Sequence, residues 1–301
     1  MGGLRFPAFF MVLLYTTVVQ ITGEVIQMGM FSEVADYSFQ NCRKEMLEMV
    51  IKPGGLLETE LDNNKDFKAM WHGDAACNKA IPEVTKKHMA ALQSYAEAST
   101  EFHSKFKKLL QRSRGNSTYR DEFPFKSLFF LLTDAMQLLG KKVCRTVYSG
   151  TENEYSTKVG EKVRFEIFLP AKLRYSEATE EASNSDDIGT VFNITSCSVI
   201  SLDDHKCNSE EIDLLISPTE VFTVTAIRNI DNSNDMFKEI TLTHSRIQSS
   251  SNCIGLVRLP DKSEEEEKSE EPEESSSSFL SSSSLNLMAS LLMLYFHTLT
   301  L

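Results

Sequence analysis

The order of apolar and polar positions changes character once along this chain. From about residue 37 to 140, apolar side chains recur at helical spacing, with Met89, Leu92, Ala96, Phe102, Phe106 and Leu109 stepping by three, four or multiples of these. That pattern predicts one long helix, with Pro82 in its first turn, where a missing N–H does no harm. A second helix is predicted over 127–142, SLFFLLTDAMQLLGKK. Its apolar density implies burial on most sides, and Gly140 supplies a C-terminal stop. Beyond it the texture becomes β. CRTVYSG (144–150), KVRFEIFL (162–169), GTVFNITSCSVI (189–200), IDLLIS (212–217), EVFTVTAIRNI (220–230) and EITLTHSRI (239–247) are rich in Val, Ile, Thr and Phe, with polar breaks between. Helices first and strands second predict an α+β domain rather than alternating βαβ units. No internal repeat is present. No GxGxxG follows a strand and there is no GxxxxGK before Ser or Thr, which removes the usual dinucleotide and P-loop fingerprints.

The two ends read as processing signals. Residues 1–23, MGGLRFPAFFMVLLYTTVVQITG, carry one Arg, an uncharged apolar run from Phe6 to Val19, and small residues before Glu24, the three parts of a secretory signal peptide. Residues 285–301, LNLMASLLMLYFHTLTL, form an uncharged apolar tail preceded by serines. Small residues, a polar spacer and such a tail match a glycolipid (GPI) attachment signal, with Ser275 to Ser278 as attachment candidates; the other reading is a short tail-anchored helix. Between domain and tail, 261–284 is Glu/Ser-rich with almost nothing to bury, an extended acidic stalk. One domain, 24–260, remains, destined for the outer face of the plasma membrane.

Charge sharpens this division. The formal net charge is -12, but residues 261–274 hold eight Glu and one Asp against two Lys, a net of -7. With Arg5 set aside, the domain carries -12 + 7 - 1 = -6, ordinary acidity that argues against nucleic acid as a partner.

Secretion governs how the six cysteines are read. Cys42, Cys77, Cys144, Cys197, Cys207 and Cys253 suggest three disulfides, and fifteen pairings are open. There is no CxxC and no HExxH, so a metal site is not expected. His205 beside Cys207 suits a loop disulfide better than thiol catalysis. Two N-x-S/T sequons occur, at Asn116 in a polar break and at Asn193 in VFNITSC. Two-residue periodicity puts Asn193, Thr195 and Cys197 on one strand face, so an inward disulfide at Cys197 would make a glycan at Asn193 awkward.

Five blocks carry a family resemblance. EFPFKSLFFLLTDAMQLL (122–139), CRTVYSG (144–150), VRFEIF (163–168), VFNITSC (191–197) and LLISPTEVFTV (214–224) stand in the order and at the spacing of the vertebrate ecto-ADP-ribosyltransferases, which the chain resembles from about Phe31 to Leu256. The resemblance implies a helical N-terminal part packed on a two-sheet β core, with NAD+ held in the cleft between the sheets. It implies transfer of ADP-ribose from NAD+ to arginine side chains of target proteins, with release of nicotinamide and no metal. It also implies the pairings Cys42–Cys253 and Cys144–Cys197, leaving Cys77 and Cys207 for a third bridge.

Active members of that family carry an Arg, a Ser and a Glu on three strands, and this chain departs at each. The Arg that follows Tyr in a VYRG-like strand falls at Ser149. Arg145, on the same strand face four residues back, lies roughly 13 Å away at about 3.3 Å per residue and cannot substitute. The Ser position falls at Pro170, which has neither hydroxyl nor N–H. The Glu that stabilises the positive charge as nicotinamide leaves falls at Asp213, while the earlier Glu of the Glu-x-Glu pair, which selects arginine, is kept as Glu211. By resemblance, then, Asp213 and Glu211 are the catalytic candidates, and Tyr148, Ser149, Gly150 and Pro170 line the NAD+ cleft. Three other readings stay open: NAD+ hydrolysis without an acceptor, a catalytically degenerate surface protein that keeps the scaffold for binding, and a plain solvated acidic turn at Glu210, Glu211 and Asp213.

Overall fold

The computed structural model describes residues 25–73, 81–113, 116–140, 143–183, 188–202, 214–231 and 236–249, with Ser251, Cys253 and Leu256. In chain order the elements are β1 (Ile26–Gln27), α1 (Arg43–Ile51), α2 (Leu56–Asn63), α3 (Lys65–Met70), α4 (Lys86–Ala96), α5 (Thr100–Gln111), α6 (Asn116–Glu122) and α7 (Lys126–Leu139). Then follow β2 (Arg145–Thr151), β3 (Tyr155–Ser156), β4 (Lys162–Val163), β5 (Leu169–Ala171), α8 (Tyr175–Ala182), β6 (Gly189–Ser196), β7 (Ile200–Ser201), β8 (Leu214–Ile216), β9 (Glu220–Asp231) and β10 (Met236–Ile247). Among the described residues, no helix is long and apolar enough to cross a membrane.

The long helix expected through Met89 and Leu109 is two helices. Chain direction changes at Glu97, Ala98 and Ser99, and the Ser99 side chain accepts a hydrogen bond from the Phe102 N–H at 3.2 Å, capping α5. Pro82 also falls outside the first helical turn, because Thr85 caps α4 in a box with His88. The buried helix α7 has no cap of its own. Glu60 of α2 supplies one, accepting from the backbone N–H groups of Lys126 at 3.0 Å and Ser127 at 2.9 Å. A carboxylate at a helix N-terminus meets both the orphan donors and the positive end of the helix dipole.

Two sheets follow. The larger has the order β2-β6-β10-β9-β4, with β6 and β10 parallel and the other pairs antiparallel; the smaller is β5-β8-β7. A two-stranded pair, β1-β3, stands beside them. The expected strand over 162–169 is therefore split between the sheets. The chain bends at Glu166 and Ile167, between Phe165 in the core between the sheets and Phe168 in the helical core. Arg164 sinks between them, with Nη1 2.8 Å from Asp36 Oδ2 and Nη2 2.8 Å from the Phe31 carbonyl.

The small sheet separates two cores. Leu215 faces the helical layer with Phe168 and Ile200, whereas Leu214 and Ile216 face the large sheet at Val147, Phe192, Ile194 and Phe222. On the far side of the large sheet lies α8, which nothing in the apolar pattern announced. Its Ala178 and Ala182 rest on Val191 and Phe237. The approach is so close that a Cβ on Gly150 would lie 2.0 Å from the Ala178 carbonyl oxygen, and one on Gly189 2.0 Å from that of Ala182.

Both disulfides implied by resemblance form. Cys42 is bonded to Cys253, and Cys144 to Cys197, with Cα–Cα distances of 6.1 and 3.9 Å. Cys77 and Cys207 lie outside the described residues.

Candidate functional site

The two sheets meet at one corner, and there the strands that carry Tyr148, Ser149, Gly150 and Pro170 come together. Tyr148 of β2 and Lys172, just past β5, exchange backbone hydrogen bonds: the Tyr148 N–H donates to the Lys172 carbonyl at 2.9 Å, and the Lys172 N–H to the Tyr148 carbonyl at 2.6 Å. On its other side β5 pairs with β8, placing Pro170 opposite Leu215 and Ala171 opposite Leu214. Ser149 thus adjoins the bridge on one strand, Pro170 on the next, and β8 begins at Leu214, the residue after Asp213. Asp213 and Glu211 themselves lie outside the described residues.

Pro170 shapes this corner. Backbone groups two residues apart on a strand point the same way, so the N–H that Pro170 lacks would have pointed, like that of Lys172, toward β2. The ladder between β2 and β5 stops there, and the sheets part. The Gly150 N–H, which would have met the next rung, donates instead to Glu181 Oε2 of α8 at 3.3 Å.

The large sheet sorts the nominated residues between its faces. Ser149 is opposite Phe192 and is buried on the core side. Tyr148 is opposite Asn193 on the outer side, its ring edge-on to Tyr175 at 5.3 Å. The alternation turns the Tyr148 ring to the face opposite the Ser149 side chain, and Gly150, pressed on α8, offers only backbone. Tyr175 in turn donates to Glu239 Oε2 at 2.6 Å; burial first and then that carboxylate push its hydroxyl pKa up, so it remains a donor.

A carboxylate not nominated from sequence holds the segment after β8. Glu220 is fully buried and accepts hydrogen bonds from Ser196 Oγ at 2.6 Å, the Cys197 N–H at 2.7 Å, and the Ser198 hydroxyl, with His244 Nδ1 at 2.6 Å. It ties the start of β9 to the end of β6. The signal was present: Glu220 is the one carboxylate inside LLISPTEVFTV. Cys197, Glu220 and His244 also bring possible metal-ligand atoms within 4.8 Å of one another. The Cys197 sulfur is bonded to Cys144 and offers no thiolate, so the group does not fit a metal. Across the corner, Glu166 meets Lys107 at 2.7 Å and Gln111, fastening the loop before β5 to α5.

Comparison with known proteins agrees with the fold. Residues 28–250 match the family model described as NAD:arginine ADP-ribosyltransferase. The chain is similar to ecto-ADP-ribosyltransferase 4 of Mus musculus, 30% identical over 205 residues, a match spanning 64% of this chain and 65% of that protein, just under two thirds of its length. It is similar to T-cell ecto-ADP-ribosyltransferase 1 of Mus musculus, 26% identical over 246 residues, 78% of this chain and 80% of that one. In fold it is similar to the eucaryotic mono-ADP-ribosyltransferase ART2.2, with a TM-score of 0.62 and 24% identity over 76% of this chain and 99% of that chain.

Proposed function

Because the chain belongs to the NAD:arginine ADP-ribosyltransferase family, we propose that it transfers ADP-ribose from NAD+ to arginine side chains of target proteins, releasing nicotinamide. The observation that carries this reading is the corner at Tyr148 and Lys172, which gathers Ser149, Pro170 and the start of β8. NAD+ lies in the cleft between the sheets, bounded by Ser149 and Pro170. The bond from ribose C1′ to nicotinamide breaks, nicotinamide leaves with the electron pair, and the Asp213 carboxylate stabilises the cationic ribose. Glu211 orients the guanidinium, whose nitrogen attacks C1′ and loses a proton.

Turnover is slow on this reading. Asp is one methylene shorter than Glu, and a displacement of about 1 Å can cost on the order of 100-fold in rate. The test uses the secreted protein with NAD+ and agmatine. Nicotinamide release that depends on agmatine and is lost in Asp213→Asn supports transfer. Release without agmatine dependence would mean hydrolysis. If NAD+ neither binds nor turns over, the reading is overturned, and activity that appears only in Ser149→Arg/Pro170→Ser/Asp213→Glu would mark a degenerate scaffold.

The processing signals support an assignment to the cell surface. The domain is released from its leader near Gly23, carried on the 261–284 stalk, and anchored through GPI at one of Ser275 to Ser278. Disulfides at Cys42–Cys253 and Cys144–Cys197 suit that oxidising side of the membrane.

A further inference from the structure

Helix α8 covers only part of the outer face of the large sheet. Its alanines rest on Val191 and Phe237, and its Tyr175 reaches as far as Tyr148. One row on, Asn193 lies between Tyr148 of β2 and Thr241 of β10, directly opposite each. The next row is four threonines, Thr146, Thr195, Thr243 and Thr223, side by side across four strands. Each of these side chains is half-buried or exposed. Residues paired across strands share a face, so this is a hydroxyl-rich surface that includes Asn193. Asn193-Ile194-Thr195 is an N-x-T sequon whose Asn and Thr both point outward while Ile194 enters the core.

The objection raised by Cys197 disappears. Its partner Cys144 is exposed and Cys197 is half-buried, so the bridge ties the strand ends and does not draw this face inward. We propose that Asn193 carries an N-linked glycan whose first sugars lie over this open face. The donor class is a lipid-linked diphospho-oligosaccharide. Asn193 Nδ2 bonds to the anomeric carbon as the sugar–phosphate bond breaks; the diphosphate leaves with the electron pair and the amide proton goes to solvent. A pyranose has an apolar C–H face and hydroxyl edges. The Tyr148 ring, braced by Tyr175, receives the first, and the threonine row the second. The glycan leaves from the face opposite Ser149, so the inference stands independently of the proposed chemistry.

The test is made on the full chain expressed in eukaryotic cells and recovered from their surface. Amidase release in 18O-water should convert Asn193 to labelled Asp in the wild-type protein. Asn193→Gln and Thr195→Ala should each lose one glycan in mass, while Thr195→Ser keeps it. Native protein should release this glycan more slowly than denatured protein, and Tyr148→Ala should remove the difference. An unmodified Asn193 peptide from the wild-type chain at the cell surface overturns the site, whether or not the variants fold. Equal release from native and denatured protein overturns the covering of the face.

Discussion

Lys172 and Tyr148 exchange two backbone hydrogen bonds, and the ladder they begin goes no further because Pro170, on the same strand edge, has no N–H to extend it. Pro170→Ser supplies both an N–H and a hydroxyl at the corner. One preorganised donor is worth on the order of 100-fold in rate, so nicotinamide release should rise by about that factor. A well-folded variant with unchanged turnover would argue against placing the cleft here.

Gly150 is where α8 presses hardest. Gly150→Ala puts a Cβ 2.0 Å from the Ala178 carbonyl, so helix or strand must shift. The expected cost is about 1–3 kcal/mol, read as a lower urea midpoint. Gly29→Ala, with nothing within 4 Å of the added carbon, is the control and should show much less.

Arg164 and Asp36 are both nearly inaccessible, at 4% and 3% of side-chain surface. Asp36 also accepts from the Ser251 N–H at 2.9 Å and from its hydroxyl at 2.6 Å. Arg164→Met would leave that carboxylate without its cation, at a cost of about 3–5 kcal/mol in chemical denaturation. A loss below about 1 kcal/mol would mean that the pair contributes little.

Asp134 gives the fold a dependence on acid. Burial raises its pKa, but bonds from His88 and Arg43 outweigh this and hold it below the ordinary value of 3.8. A carboxylate with a depressed folded pKa contributes stability that is fully present above its unfolded value and is lost as pH falls through the folded one. Melting temperature should therefore fall with acidification below about pH 4, and Asp134→Asn should show a shallower fall from a lower starting point.

Cys42 and Cys253 are 211 residues apart in sequence. Replacing both with Ala should cost about 5 kcal/mol on the chain-entropy model. Guanidinium titration of the double variant under non-reducing conditions measures it.

Much of this fold could be read from apolar spacing, and the failures have physical causes. Helix α7 and the long strands β6, β9 and β10 are dense in apolar or β-branched residues, so periodicity identified them. Helix α8, YSEATEEA, buries only Ala178 and Ala182, a stripe too small to register as a core face. The segment 162–169 looked continuous because both Phe165 and Phe168 are apolar; that they serve different cores is a tertiary fact. The break at Ser99 rests on one cap residue, while helical apolar spacing continues on either side of it. At the site, Ser149 and Pro170 were found through family blocks, not through composition. The side on which Tyr148 lies required the register with Asn193.

The bond between Cys42 and Cys253 also sets a load path. Tension applied between the segment before Cys42 and the chain beyond Cys253 passes through the sulfur bridge and leaves residues 43–252 slack. All eight described helices, both larger sheets and the corner at Tyr148 and Lys172 lie inside that shielded loop, whereas β1 lies outside it. A domain held at its C-terminal end can be pulled without its sheets being peeled apart.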